Sequence, residues 1–179
     1  MANPPMGLNF IEGSLGVVNL VFNNVNLGKT IDEATLEFIE DMKDINFAQD
    51  GTQPYDKVPT GQAWQITCKL GELTWARLKE VLRGITVSGN SAKLGRNIYL
   101  SGRDNFAKVL TVTRVDSDGN SSTDPLYRLY CYKALPTVNG AIGAFGPDTQ
   151  REVEVVFYLF YDETNEAFGY SGYASSLGL

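Results

Sequence analysis

The distribution of apolar residues predicts a chain built mainly from β-strands. The clearest alternation lies in residues 63–70, where every second residue from Trp64 to Leu70 is apolar, which is typical of a strand with one buried face. Turn-forming residues separate the other strand-like runs. These runs are residues 17–22, 98–100, 106–115, 126–134 and 153–161. In the last of them both faces are apolar, which predicts a strand in the interior of a sheet or at a contact between subunits.

Residues 25–42 fit two templates, a helix and a strand. Thr30 and Glu33 form a T-x-x-E capping box, and the apolar residues that follow repeat at helical spacing. In the strand template the apolar residues change phase, which requires a bulge or bend near Glu40. Periodicity alone leaves both possibilities open.

One amphipathic helix is predicted at about residues 75–83. Thr74 is a suitable N-cap, and Gly84 is suited to the left-handed conformation that ends a helix. One face is apolar and should pack against a sheet. It carries Trp75, Leu78, Val81 and Leu82.

Three segments are expected to lie outside the regular core of a single domain spanning residues 1–179. Residues 1–16 form an arm punctuated by Pro and Gly, and residues 163–179 form a tail rich in Gly, Ser and Tyr. Residues 48–61 form a long polar loop between two strands. An unstructured connection of this length is uncommon in a compact domain and usually has a function or is disordered.

The length and composition of the chain indicate that it can bury a core without disulfides or metals. It has 179 residues, of which 43% are apolar and 20% charged, an ordinary globular composition. Cys68 and Cys131 both lie in apolar, strand-like runs. They are therefore predicted to be buried free thiols.

The charge balance disfavours tight binding of nucleic acid. The chain has 21 acidic and 15 basic residues, and the basic residues are scattered instead of forming the stripe that grips phosphates. The absence of histidine removes the commonest metal ligand and general base. The N-terminus does not resemble a signal peptide, and no run approaches the ~20 apolar residues of a membrane span, so we expect folding in a cytoplasm and no membrane partner.

The only suggestion of an enzyme is a partial nucleotide-binding motif. Gly28, Lys29 and Thr30 follow a strand-like run, and an apolar run near the C-terminus ends at Asp162. A phosphate-binding loop requires G-x-x-x-x-G-K-[ST], but Asn23 stands where its first glycine should be. A nucleotide hydrolase using Lys29, Thr30 and Asp162 is thus a remote alternative. We predict no enzyme activity, cofactor or metal site.

The order of features resembles that of the tail tube (major tail) proteins of long-tailed bacteriophages. The similarity covers about half of the chain. It rests on the sequences LGKT at 27–30, ATLEF at 34–38 and DGTQP at 50–54, followed by the strand of residues 61–70 and the helix.

This resemblance implies an antiparallel β-sandwich flanked by one helix. In that family, six copies form a ring, and rings stack into a hollow tube that conducts viral DNA into the bacterial host. The family has no catalytic residue or cofactor. Its long loop reaches the adjacent ring, which here makes residues 48–61 a contact between subunits. The expected contact residues are Asp50, Gly51, Gln53, Tyr55 and Asp56.

The same resemblance implies partners and a location. The partners are further copies of the chain, a sheath if the tail contracts, and the tape measure, baseplate or tip, and terminator proteins. Viral DNA would pass through the tube without tight binding. The protein would belong to the virion tail and be assembled in the host cytoplasm. The alternative is another virion β-sandwich, such as an accessory or adhesion module of a tail or capsid.

Overall fold

The computed structural model describes residues 14–45, 56–71, 74–89, 91–95, 106–139 and 152–174. Most of them form antiparallel strands, which confirms the predicted mainly β fold. The helical segments are α1 (Trp75–Val81) and a 3₁₀ turn (Pro125–Tyr127). The strands are β1 (Ser14–Gly16), β2 (Val18–Phe22), β3 (Val25–Lys29), β4 (Ala34–Ile45), β5 (Asp56–Leu70), β6 (Ile85–Ser88), β7 (Ser91–Leu94), β8 (Lys108–Arg114), β9 (Arg128–Asn139), β10 (Val153–Phe160) and β11 (Gly169–Ser171).

One sheet contains nine of these strands and curls back on itself. Its order is β1-β4-β5-β10-β9-β8-β2-β3, with β11 paired to β9, while β6 and β7 form a separate hairpin. Thr30, at the end of β3, bridges to Leu70 at the end of β5, so the path from β5 to β3 closes. Phe22 and Phe157 lie on different parts of the path, yet their ring centroids are 5.7 Å apart. The two predicted layers are therefore opposing parts of one curved sheet.

The core lies inside this curve, and β10 is its central strand. β10 pairs with β5 on one side and β9 on the other, as its two apolar faces predict. Alternate β10 side chains are buried against the interior, which matches the period of a strand. The buried side chains are Val153, Val155, Phe157 and Leu159.

The predicted helix is confirmed, although one of its predicted core residues is wrong. The Thr74 side chain caps α1 by accepting a hydrogen bond from the backbone N–H of Arg77, and Gly84 follows with φ of +88°. Leu78 and Val81 are buried in the core. Trp75, the first residue of the helix, is 41% exposed and does not belong to the core cluster.

The ambiguous region, residues 25–42, forms strands and no helix. The Thr30 hydroxyl accepts a hydrogen bond from the N–H of Val18 at 3.1 Å instead of capping a helix. Pairing with β5 then buries Ala34 and Leu36, so sheet packing overrides the local capping signal. The bulge predicted near Glu40 is present as a shift of register between Asp41 and Met42.

The three segments predicted to lie outside the core are more ordered than expected where they are described. The end of the arm forms β1, whose Leu15 is buried, and the tail contributes β11. The predicted loop is wrong for Asp56 to Gly61, which belong to β5, because β4 and β5 continue as a paired hairpin. Residues 46–55 and the predicted strand at 98–100 lie outside the described residues.

The two ends of β5 carry different structures. At about 3.3 Å per residue, the strand from Asp56 to Leu70 spans about 45 Å. The Leu70 end lies near α1. Leu82, directly after the helix, lines a groove with Val138 of β9. Val138 pairs with Val155 of β10, and Val155 pairs on its other side with Cys68, near the Leu70 end of β5. The Asp56 end lies in the extended hairpin, far from the helix.

Candidate assembly interface

The candidate functional site is the outer part of the β4–β5 hairpin. We define this distal hairpin as residues 39–45 of β4 and residues 56–63 of β5. Within the described part of the chain, these residues pair only with each other, because β1 stops at Thr35 on β4 and β10 stops at Trp64 on β5. Both outer edges therefore present unpaired backbone groups.

The distal hairpin is exposed on both faces. Met42 is 50% and Val58 40% exposed, although side chains of this size gain about 1.5–3 kcal/mol from full burial. The large apolar side chains exposed here and at the base of the hairpin are Phe38, Ile39, Met42, Ile45 and Val58. Large apolar side chains exposed on both faces of a projecting hairpin indicate a surface for contact with another molecule.

Cross-strand polar contacts hold the two strands of this hairpin in register. The Thr60 hydroxyl donates to the backbone carbonyl of Asp41 at 3.1 Å. The Gln62 amide donates to Glu40 at 2.9 Å. Nearer the tip, Lys57 and Asp44 form an ion pair with 3.6 Å between nitrogen and oxygen. These contacts tie the strands together along their length.

The distal hairpin carries more acidic than basic side chains. The acids are Glu40, Asp41, Asp44 and Asp56, and the bases are Lys43 and Lys57. Since Lys57 already pairs with Asp44, the remaining charge is mainly negative. A partner surface would need positive charge to complement it.

At its base, the hairpin joins an apolar groove that opens on the inner side of the sheet. The rings of Phe38 and Trp64 lie 4.8 Å apart between centroids, and Trp64 also lines the groove, whose volume is about 510 Å³. The groove is bounded by Leu36, Leu159, Tyr161, Phe168 and Tyr170. The apolar surface thus continues from the hairpin towards the core.

Of the predicted contact residues, Asp56 can be placed. It is exposed at the start of β5 and lies opposite Ile45, within the distal hairpin. The other predicted residues are Asp50, Gly51, Gln53 and Tyr55, and they lie outside the described residues. Their roles in contact between subunits stay predictions.

The residues of the remote nucleotide-binding alternative serve other contacts. Lys29 lies in β3 and donates to the backbone carbonyl of Gly119. Thr30 is buried and bonded to Val18. No helix begins at Thr30, as a phosphate-binding loop requires, because β4 starts four residues later at Ala34.

The buried Asp162 is bound within the fold. Hydrogen bonds from Lys133 and then from Asn165 hold the pKa of its carboxyl below the usual range, because both donors favour the ionised form. This carboxylate links the turn after β10 to β9, where Lys133 lies. It therefore acts as a structural ion pair.

The cysteines are buried and free, as predicted. Burial raises the pKa of both the Cys68 and the Cys131 thiol to about 12. Since the thiolate is the nucleophilic form, neither thiol is activated.

Sequence reasoning missed a cluster of tyrosines beside the C-terminal strand. The ring centroids of Tyr130 and Tyr170, which lie opposite each other on β9 and β11, are 5.2 Å apart, and Tyr132 is 5.5 Å from Tyr130. The alternation of Tyr130 and Tyr132 was a usable signal. Pairing with the tail could not be foreseen, because Gly169–Ser171 has no strand pattern of its own.

The described residues contain no group of three or more Cys, Asp or Glu side chains that could hold a metal ion. None of their helices is long and apolar enough to cross a membrane.

Comparisons with known proteins give a weak likeness of fold. The sequence matches no protein-family model and no curated protein. The fold is similar to that of a chain in a cryo-EM structure of the anti-feeding prophage baseplate, 6-fold symmetrised. The identity is 12% and the TM-score 0.44, covering 89% of this chain and 95% of that one.

Proposed function

We propose that this protein is a structural subunit of a phage tail tube. Hexameric rings of the chain stack into a hollow tube that conducts viral DNA into the bacterial host. The observation that carries the proposal is the distal hairpin, which is exposed on both faces and unpaired at both edges within the described structure. A two-stranded hairpin is marginally stable alone, so a contact with another chain would stabilise it.

A further copy of the same chain is the partner that best fits these edges. A ring that pairs the edges of neighbouring subunits leaves none of them exposed. The sequence resemblance likewise implies contact with another copy, since it places a contact with the adjacent ring in residues 48–61, a segment that overlaps β5 at Asp56–Gly61. Other tail proteins would join this assembly at its ends and outer surface.

The charge of the chain suits a conduit for DNA. Its formal net charge is −6, and a surface that repels phosphates or holds them weakly lets DNA slide.

Electron microscopy of the purified protein tests the proposal. We expect hexameric rings or long hollow tubes as the concentration is raised. A protein that stays monomeric at high concentration, with or without the other tail components, would contradict the proposal.

A matched pair of substitutions tests the role of the hairpin. Val58 in the distal hairpin and Val17 between β1 and β2 are each 40% exposed. Val58→Lys places a charge in the proposed contact, so we expect it to abolish rings and tubes. Val17→Lys makes the same change elsewhere and should assemble as the wild type does. If the two variants assembled to the same extent, the distal hairpin would not be the assembly contact.

A further inference from the structure

A second surface of the chain has the opposite charge to the distal hairpin. It is formed by α1 and by β7, whose Gly95 end meets the end of the helix through a hydrogen bond from the Gly95 N–H to the Gly84 carbonyl, 2.8 Å long. We call it the helix face. It carries the side chains Trp75, Arg77, Lys79, Glu80, Arg83, Lys93 and Leu94. These include four bases and one acid, and because Lys79 and Glu80 pair with 3.6 Å between nitrogen and oxygen, the remaining charge is positive.

The helix face also exposes large apolar side chains. Leu94 is 72% exposed, the highest value among the described large hydrophobic residues. Trp75 is partly exposed and lies one helical turn from Lys79, so the two share a side of α1. Exposed tryptophan beside positive charge is typical of the residues that dominate protein interfaces.

The hairpin and the helix face cannot meet within one subunit. The Asp56 end of the hairpin and the helix face lie towards opposite ends of β5, a strand that spans about 45 Å. Two complementary surfaces at opposite ends of a subunit pair between copies, in a head-to-tail contact. Such a contact repeats without limit along one direction, as stacked rings require.

We propose that the distal hairpin of one copy docks on the helix face of a copy in the adjacent ring. This inference rests on the proposed function and names the receiving surface. Ile45 and Val58, which share one face of the hairpin, supply apolar side chains that cover Trp75 and Leu94. The hairpin acids, Asp41 and Asp56 among them, face Lys79 and Lys93.

The two kinds of contact contribute differently. Burying the apolar side chains supplies most of the affinity, since burial is favourable in proportion to area. The opposite charges fix orientation and exclude the wrong register, because like charges brought together across an interface cost several kcal/mol. Reversing charges is therefore a sharper test than removing apolar groups.

Paired charge reversals test the contact. We expect Asp41→Lys with Asp56→Lys to raise the critical concentration for tube assembly at least about tenfold, because lysines then face lysines. Lys79→Glu with Lys93→Glu should do the same from the other side. Combining all four changes restores opposite charges, and the critical concentration should return to within about threefold of the wild type. Light scattering against protein concentration measures it.

Matched controls reverse charges outside both surfaces. Asp118→Lys in the turn before β9 and Arg128→Glu at the start of β9 alter exposed side chains and should leave the critical concentration unchanged. Thermal unfolding of each variant checks that it is folded. If a reversal unfolds the chain, Asp41→Asn and Lys79→Gln provide milder changes with the same expected direction.

Three results would overturn the inference. Wild-type tubes whose assembly is insensitive to all the reversals would contradict the proposed contact and leave the tube function standing. A fourfold variant that assembles no better than either twofold variant would contradict the pairing of the two surfaces. A wild-type protein that forms no assembly would contradict the proposed function, and this inference with it.

Discussion

At the scale of single residues, Thr30 holds together three strands. It directly follows β3. Its hydroxyl accepts a hydrogen bond from the N–H of the fully buried Val18, the first residue of β2, and its backbone bridges to Leu70 of β5. A threonine that belongs to a capping box in the sequence is thus a closing point of the sheet. The hydroxyl matters because it satisfies a donor that has no access to water.

Removing that hydroxyl should destabilise the domain. We expect Thr30→Val to lower the free energy of unfolding by about 1–3 kcal/mol, the cost of leaving a buried donor unpaired. Urea denaturation followed by circular dichroism measures this change. Thr30→Ser keeps the hydroxyl and should lose less stability. If both variants matched the wild type, Val18 would have another acceptor.

At the scale of elements, the segment proposed for assembly is distinct from the segments that form the core. No residue of the core cluster lies in residues 42–45 or 56–60, so this part of the hairpin does not contribute to the core. Asp41 and Gly61 lie directly opposite each other just before this part begins. The chain can therefore be closed there by a short turn.

Replacing residues 42–60 with Asn-Gly should leave a folded monomer. Asn-Gly suits a two-residue hairpin turn, and the melting temperature should stay within a few degrees of the wild type because the core is intact. Analytical ultracentrifugation should detect no species above the monomer at concentrations where the wild type assembles. Tubes formed by the shortened chain would show that assembly does not need the distal hairpin.

At the scale of the whole molecule, closure of the sheet links its parts into one unit. β5 ends at the bridged residue Leu70, and α1 follows it in the chain. Each carries one of the two tryptophans, Trp64 and Trp75. Both neighbourhoods share one core cluster. They should therefore lose their structure together.

Single-tryptophan variants test this cooperativity. Trp64→Phe leaves Trp75 as the fluorescent probe, and Trp75→Phe leaves Trp64. In urea, we expect the fluorescence transition of each variant to coincide with its own transition by circular dichroism. A fluorescence midpoint separated from the circular dichroism midpoint in either variant would mean that the helix and the sheet unfold independently.

The sequence predicted those elements whose pattern reflects burial on one face. The alternation before Leu70, the two apolar faces of β10 and the stripe of α1 all follow from contact with a single core, and the structure has them. The same reasoning failed for Asp56 to Gly61, whose side chains are exposed on both faces, so they show no alternation. The candidate site was therefore only partly predictable, because a strand stabilised by its neighbour alone resembles a loop in sequence.

The separation of hairpin and helix face along β5 gives any stack of these subunits a polarity. One end of the stack presents hairpins with no helix face to receive them, and the other presents empty helix faces. Growth at the two ends is then chemically different, since one end recruits a basic surface and the other an acidic one. Proteins that start and stop such a tube would need opposite charges on their joining surfaces.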